Sequence, residues 1–239
     1  MNRVDRQNGF TSIELMLAMA FVSALLIAVA MTVIQIASIY NRGITLKDVN
    51  QTGSSVASEL QRSISGSASF NINPGPGSRF IVQDWGGRLC LGQYSYIWNY
   101  GKDIQTGDTS RLNVYLLNPT NPIRLVKVID SNISYCTLDI ISGKYPSIKS
   151  IDAVELLNAG EHDLALHSFN ISTTSTATDT RTGQELYTVE FLLGTNNQAA
   201  LIGESADTEC RPPSDEQSDP SYCSVNQFNI VARAGNAVK

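Results

Sequence analysis

The chain has 239 residues, 16% of them charged, and a formal net charge of −5. That acidic balance excludes a broad basic nucleic-acid surface at the level of the whole protein. The length admits one or two domains, and sparse charge with four cysteines suits an exported chain better than a cytosolic enzyme.

Residues 1–9 form a short polar leader that carries Arg3 and Arg6 and ends on Gly9. Phe10-Thr11-Ser12-Ile13-Glu14 follows, and then a run, 15–41, without one charged side chain. About 20 apolar residues cross a bilayer as a helix, so residues 10–41 are predicted to span a membrane. Glu14 sits at the edge of that span, where a carboxylate is expensive, which makes it a functional candidate. Plainer readings stand beside this one. Thr11 and Glu14 fit a capping box, and an acid in the first turn suits the helix dipole. Arg3 and Arg6 fit an ordinary secretory signal with Ala28-Val29-Ala30 as its cleavage site. Cleavage there would leave the apolar stretch from Met31 to Ala37 as an awkward new N-terminus.

Residues 42–66 continue the helix in amphipathic form. Leu46, Val49, Val56, Leu60 and Ile64 recur at helical spacing, with Gly53 on the same stripe. The helix is expected to stop at Ser65-Gly66, giving one rod of about 50 residues, near 75 Å long. Gly43, about 1 kcal/mol worse than alanine, is the expected place for a bend.

Residues 67–239 read as a β-rich head. Asn73-Pro74-Gly75-Pro76-Gly77 is loop, and strands are predicted at 79–83, 88–91, 94–100, 112–117, 123–129, 134–140, 165–172, 186–193 and 227–232. Residues 150–158 are left between short helix and loop. An antiparallel sheet laid against the amphipathic half of a long N-terminal helix makes the fold class α+β. Cys90, Cys136, Cys210 and Cys223 all follow the apolar run, so two disulfides are expected from three possible pairings. The favoured pair is Cys210–Cys223, because the polar, proline-rich stretch between them is not expected to pack by itself. Cys90 and Cys136 then pair with each other, two buried free thiols being the alternative.

Enzyme chemistry finds no support. His162 and His167 lack metalloprotease spacing and read as surface or turn residues, and the glycines do not form a phosphate loop. Tyr94, Tyr96, Trp98 and Tyr100 fit either a stacking surface or a packed strand face, the packed face being favoured. No catalytic residue, resident metal or cofactor is expected, and no close C-x-x-C pair points to zinc.

The combination of basic leader, Gly9, Phe10, Thr11, Glu14 and spanning run resembles the signal of type IV pilins and type II secretion pseudopilins. The resemblance is specific over about the first 30 residues. It implies a ladle-shaped fold and a prepilin peptidase that cuts after Gly9 and methylates Phe10. It implies that Glu14 pairs with the N-terminal ammonium of a neighbouring subunit, so that residues 10–41 are also an assembly helix. Cys210 and Cys223 look similar to the pair bounding the C-terminal loop of many pilins. Glu204, Asp207, Glu209, Asp215, Glu216 and Asp219 are similar to the calcium loops of some pseudopilins, but they lack EF-hand spacing and fit a solvated loop better. Many family members carry a proline in the apolar helix; this chain has none before Pro74. The size of the head resembles the minor pilin and J-type pseudopilin groups. The implied partners are other pilin subunits, the peptidase, an inner-membrane assembly platform and the membrane itself. The implied location is the bacterial inner membrane, crossed once, and then a surface or periplasmic filament. The alternative is a membrane-anchored binding or adhesion domain that never polymerises.

Overall fold

The computed structural model describes residues 11–105, 115–118, 121–139, 144–157, 163–173 and 183–235. Helix α1 (Ser12–Ser65) is a continuous 54-residue rod, about 80 Å long at 1.5 Å per residue. It passes through Gly43 without interruption. A single glycine costs about 1 kcal/mol, which cooperative helix on both sides absorbs. The rod ends where expected, at Ser65. Gly66 closes it in a right-handed conformation, donating its N–H to the Arg62 carbonyl at 3.0 Å.

The buried stripe of α1 is Thr45, Val49, Gly53, Val56, Ala57, Leu60 and Ile64. Leu46, expected in this stripe, is 48% exposed. Thr45 occupies the buried position because its hydroxyl is satisfied there, donating to the carbonyls of Asn41 and Ser221. Each fully buried Val, Leu or Ile on this face contributes about 1.5–3 kcal/mol.

Two antiparallel sheets receive that stripe, so the fold is α+β. The first runs β1 (Phe80–Gln83), β2 (Gly86–Cys90), β3 (Tyr94–Asn99), β6 (Leu125–Ile129), β7 (Ala153–Glu155) in that spatial order. Between β3 and β6 lie a one-turn helix α2 (Gly101–Gln105) and a small hairpin of β4 (Leu116–Asn118) and β5 (Asn121–Pro122). The second sheet has β9 (Glu185–Thr195) at its centre, flanked by β8 (Leu164–Thr173) and β12 (Val225–Ala234). A two-stranded ladder of β10 (Leu201–Ile202) and β11 (Glu209–Cys210) leads into the C-terminal loop.

Strand β12 lies along α1. Asn226 donates to Asn50 at 2.6 Å, Gln61 donates to the Val231 carbonyl at 3.1 Å, and the Phe228 ring fills the space left by Gly53. One core joins α1 to both sheets through Leu60, Ile64, Leu89, Tyr96, Trp98, Phe169, Phe191 and their neighbours. Period-2 alternation in β3 predicts one buried face, but both faces are covered. Ile97, Val126 and Val128 pack on the far side against Ile123, Ile148 and Tyr135. Arg88 anchors this outer cover. Its guanidinium lies over the rings of Tyr115 and Tyr145 and donates to the carbonyls of Tyr135 and Pro146. Burial pushes its pKa down from the ordinary arginine value.

Two predicted strands and one undecided segment differ. The segment predicted at 134–140 opens as a 3₁₀ turn, Ser134–Cys136. Asp130 organises it: one oxygen accepts from the Ser134 amide and hydroxyl, the other from the Ser95 hydroxyl and the Tyr135 amide. Burial opposes charge on Asp130, but these hydrogen bonds outweigh it and hold the carboxyl below its usual range. Residues 150–158 contain a 3₁₀ turn and then the edge strand β7. The strand predicted at 112–117 is seen as β4; residues 112–114 lie outside the described residues.

Candidate functional site

The feature that sets this molecule apart is the unequal burial of α1. From Thr11 to Tyr40 every residue is exposed, including Leu17, Phe21, Leu25, Ile27, Ile34 and Ile39. From Thr45 onward the same helix is half-sunk in the head. Among the described residues, α1 is the helix long and apolar enough to cross a membrane. A rod apolar on all sides cannot remain in water; lipid or other helices must cover it.

At its start Thr11 and Glu14 form both halves of a capping box. Glu14 Oε2 accepts from the Thr11 amide at 3.1 Å and hydroxyl at 3.0 Å, and the Glu14 amide donates back to the Thr11 hydroxyl at 3.3 Å. The carboxylate is exposed, and its Oε1 has no partner among the described residues. Gly9 and Phe10, with Arg3 and Arg6, lie outside the described residues.

A neck marks the transition from exposed to buried helix. Ser38 and Ser221 share a hydrogen bond at 2.8 Å, Asn41 donates to the Tyr222 hydroxyl at 2.8 Å, and Thr45 reaches the Ser221 carbonyl. The disulfide Cys210–Cys223 holds Ser221 and Tyr222 at that height. Sequence reading missed the neck, although Ser38, Asn41 and Thr45 stand three and four residues apart on one helical face. The loop behind the disulfide also packs on itself, contrary to expectation. Arg211 donates to the Ala199 carbonyl and to Asp215 at 2.8 Å, and Ser218 donates to the Arg211 carbonyl. An arginine at the loop's start supplies the internal donors that proline cannot.

A second polar clamp joins α1 to the first sheet. Lys127 pairs with Glu59 at 2.5 Å, Tyr96 donates to the same carboxylate at 3.1 Å, and Ser63 bonds the Tyr96 hydroxyl at 2.6 Å. The Lys127 ammonium beside it holds the Glu59 carboxyl below its ordinary range. Lys127 also lies over the Tyr94 ring, 3.6 Å from its centroid. The other disulfide, Cys90–Cys136, staples the 3₁₀ turn to β2, and no cysteine is free.

The remaining sequence candidates do not converge. Tyr96 and Trp98 are wholly buried, and Tyr94 and Tyr100 pack against the same core, so the aromatic strand offers no stacking surface. His167 is buried in β8 and not on the surface or in a turn, because its ring bonds the Thr195 carbonyl at 3.2 Å. Burial pushes its pKa down to about 4. His162 lies outside the described residues. Of the acidic stretch, Glu204 pairs with Lys102 and Asp215 with Arg211. Among the described residues no three of His, Cys, Asp and Glu come together as a metal site. No family model, curated protein or solved structure matches this chain.

Proposed function

We propose that this chain is a structural subunit of a type IV pilus-like or pseudopilus filament, of the minor or J-type kind, with the ladle architecture of that family. The observation that carries the reading is the single rod whose first half is bare and apolar while its second half is the core of a disulfide-bonded head. In this reading a prepilin peptidase cuts between Gly9 and Phe10 and methylates Phe10. The subunit then waits in the bacterial inner membrane with the neck at the lipid surface. An assembly platform draws it out, and the bare helix exchanges lipid for the helices of other subunits. The chain is not an enzyme.

Glu14 supplies register. A carboxylate at the membrane edge is costly alone, and the ammonium of a neighbouring Phe10 relieves that cost. The capping box does not compete with this role, since Thr11 engages only one carboxylate oxygen. The experiment compares wild type with Glu14→Val at matched membrane levels, measuring each in sheared filaments and weighing the mature N-terminus by mass spectrometry. The expected result is a methylated Phe10 start in both and strong depletion of the variant from filaments. A pure capping role predicts about 1 kcal/mol of fraying and equal incorporation. Equal incorporation sinks the counter-charge mechanism, and wild type missing from filaments sinks the filament reading.

A further inference from the structure

Among the described residues, two sheet edges with no further strand beside them line one groove in the head. β1 is the end strand of the first sheet and β8 the end strand of the second. Both border a groove of about 1290 Å³, with Phe80–Val82 on one wall and Asn170–Thr173 on the other. The Pro-Gly-Pro-Gly loop after the helix forms part of its rim. The sheets meet at the bridge between Tyr100 and Leu166, and the rings of Phe80 and Phe169 touch beneath, 6.2 Å between centroids.

The register of β1 shows which backbone groups face the groove. Cys90 donates to the Arg79 carbonyl, so Arg79, Ile81 and Gln83 are the residues bonded to β2. Phe80 and Val82 therefore turn their N–H and C=O away from β2. Ser78 covers those of Phe80, its hydroxyl donating to the carbonyl at 2.8 Å. Val82 is exposed and, among the described residues, has no such cover. The β1 edge carries no proline, lysine or bulge of the kind with which proteins ordinarily blunt an open strand; β8 has a bulge between Leu166 and Ser168, ahead of its groove-lining residues 170–173, and no proline or lysine. One side chain of fixed charge lines the groove, Arg79, and it forms no ion pair among the described residues.

The geometry points to a strand-acceptor site: an extended peptide segment of another protein, apolar and polar by turns with one acidic residue, pairs with the free edges of β1 and β8 and sets its acid against Arg79. Main-chain hydrogen bonds to an edge supply affinity, and alternate side chains supply selectivity. Backbone edges on two walls suit a polypeptide better than a small molecule, which needs convergent side-chain groups. A single cation suits one carboxylate better than an anionic bilayer. The site belongs to the monomer and does not rest on the filament reading.

The test uses the full chain in detergent micelles and a library of alternating apolar–polar hexapeptides with aspartate or asparagine at a central polar position. Selected peptides are labelled with fluorescein and titrated by anisotropy. Val82→Pro removes only an outward N–H and leaves the β1–β2 ladder whole, so it is expected to weaken binding about tenfold, while Val82→Ala binds as wild type. Arg79→Gln is expected to erase the preference for aspartate over asparagine. In case the proline variant fails to fold, hydrogen exchange on wild type serves instead: peptide should slow the amides of Val82 and of those residues among 170–173 whose N–H faces away from β9. No binder in the library, binding indifferent to both variants, or protection confined to other strands overturns the proposal. Self-association through the groove, abolished by Val82→Pro without peptide, also overturns it in favour of a second copy as occupant.

Discussion

Gly53 tests how closely the helix is seated on β12. A Cβ at this position would lie 2.1 Å from Phe228 Cζ. Ordinary carbon contact begins near 3.5 Å, so the ring must retreat by roughly 1.5 Å. It is stacked on Phe191 at 5.2 Å between centroids, and retreat loosens that pair. Overpacking of this kind costs about 1–3 kcal/mol, and against it stands a helix-propensity gain of about 1 kcal/mol for Gly53→Ala. The net expectation is a destabilisation of about 0–2 kcal/mol, where an uncrowded helical glycine would give a gain. The cleaner measurement is a double-mutant cycle with Phe228→Ala, which removes the obstacle. In that background Gly53→Ala should stabilise by about 1 kcal/mol, giving a coupling of about 1–3 kcal/mol. Denaturant unfolding in micelles with disulfides intact, followed by the fluorescence of buried Trp98, reads all four proteins. Stabilisation by Gly53→Ala alone, with simple additivity across the cycle, would refute the seating of α1 on β12.

His167 predicts a pH dependence. Its folded pKa of about 4 lies below the unfolded value near 6.5, so the folded state binds fewer protons between them. That contribution is complete above about pH 6.5 and is lost as pH falls toward 4, a loss of about 3 kcal/mol. His167→Gln, which keeps a donor for the Thr195 carbonyl, should flatten this step in urea midpoints measured from pH 7 to 4. The disulfides predict an order. Cys90 and Cys136 are 46 residues apart and Cys210 and Cys223 are 13 apart. Chain entropy then assigns about 4 kcal/mol to the first and about 3 to the second. Paired Cys→Ala variants compared by denaturant unfolding should keep that order. Loss of the second bond should also speed exchange at Ser221 and Tyr222 in the neck, and unchanged exchange there would mean the loop holds its place unaided.

Much of this protein was legible because its signals are local. Helix length follows from an uncharged run joined to a 3.6-residue stripe, and its stop at Ser65-Gly66 from a single glycine. The strands at 79–83, 94–100, 165–172, 186–193 and 227–232 follow from alternation and turn residues, since both act within a few positions of chain. The pairing Cys210–Cys223 was legible for the same reason: the two lie close in sequence with a loop between them. Tertiary structure decided whatever depends on partners distant in the chain. Asp130 turns 134–136 away from strand because Ser95, from another strand, shares its carboxylate. His167 is buried and neutral because Thr195 stands across the ladder, and Thr45 displaces Leu46 from the core because Ser221 arrives 176 residues later. The groove between β1 and β8 exists only because two sheets end side by side, and no window of sequence contains both edges. Periodicity reports which face of an element is apolar; it carries no information about what that face meets, and the polar exceptions are settled by that meeting.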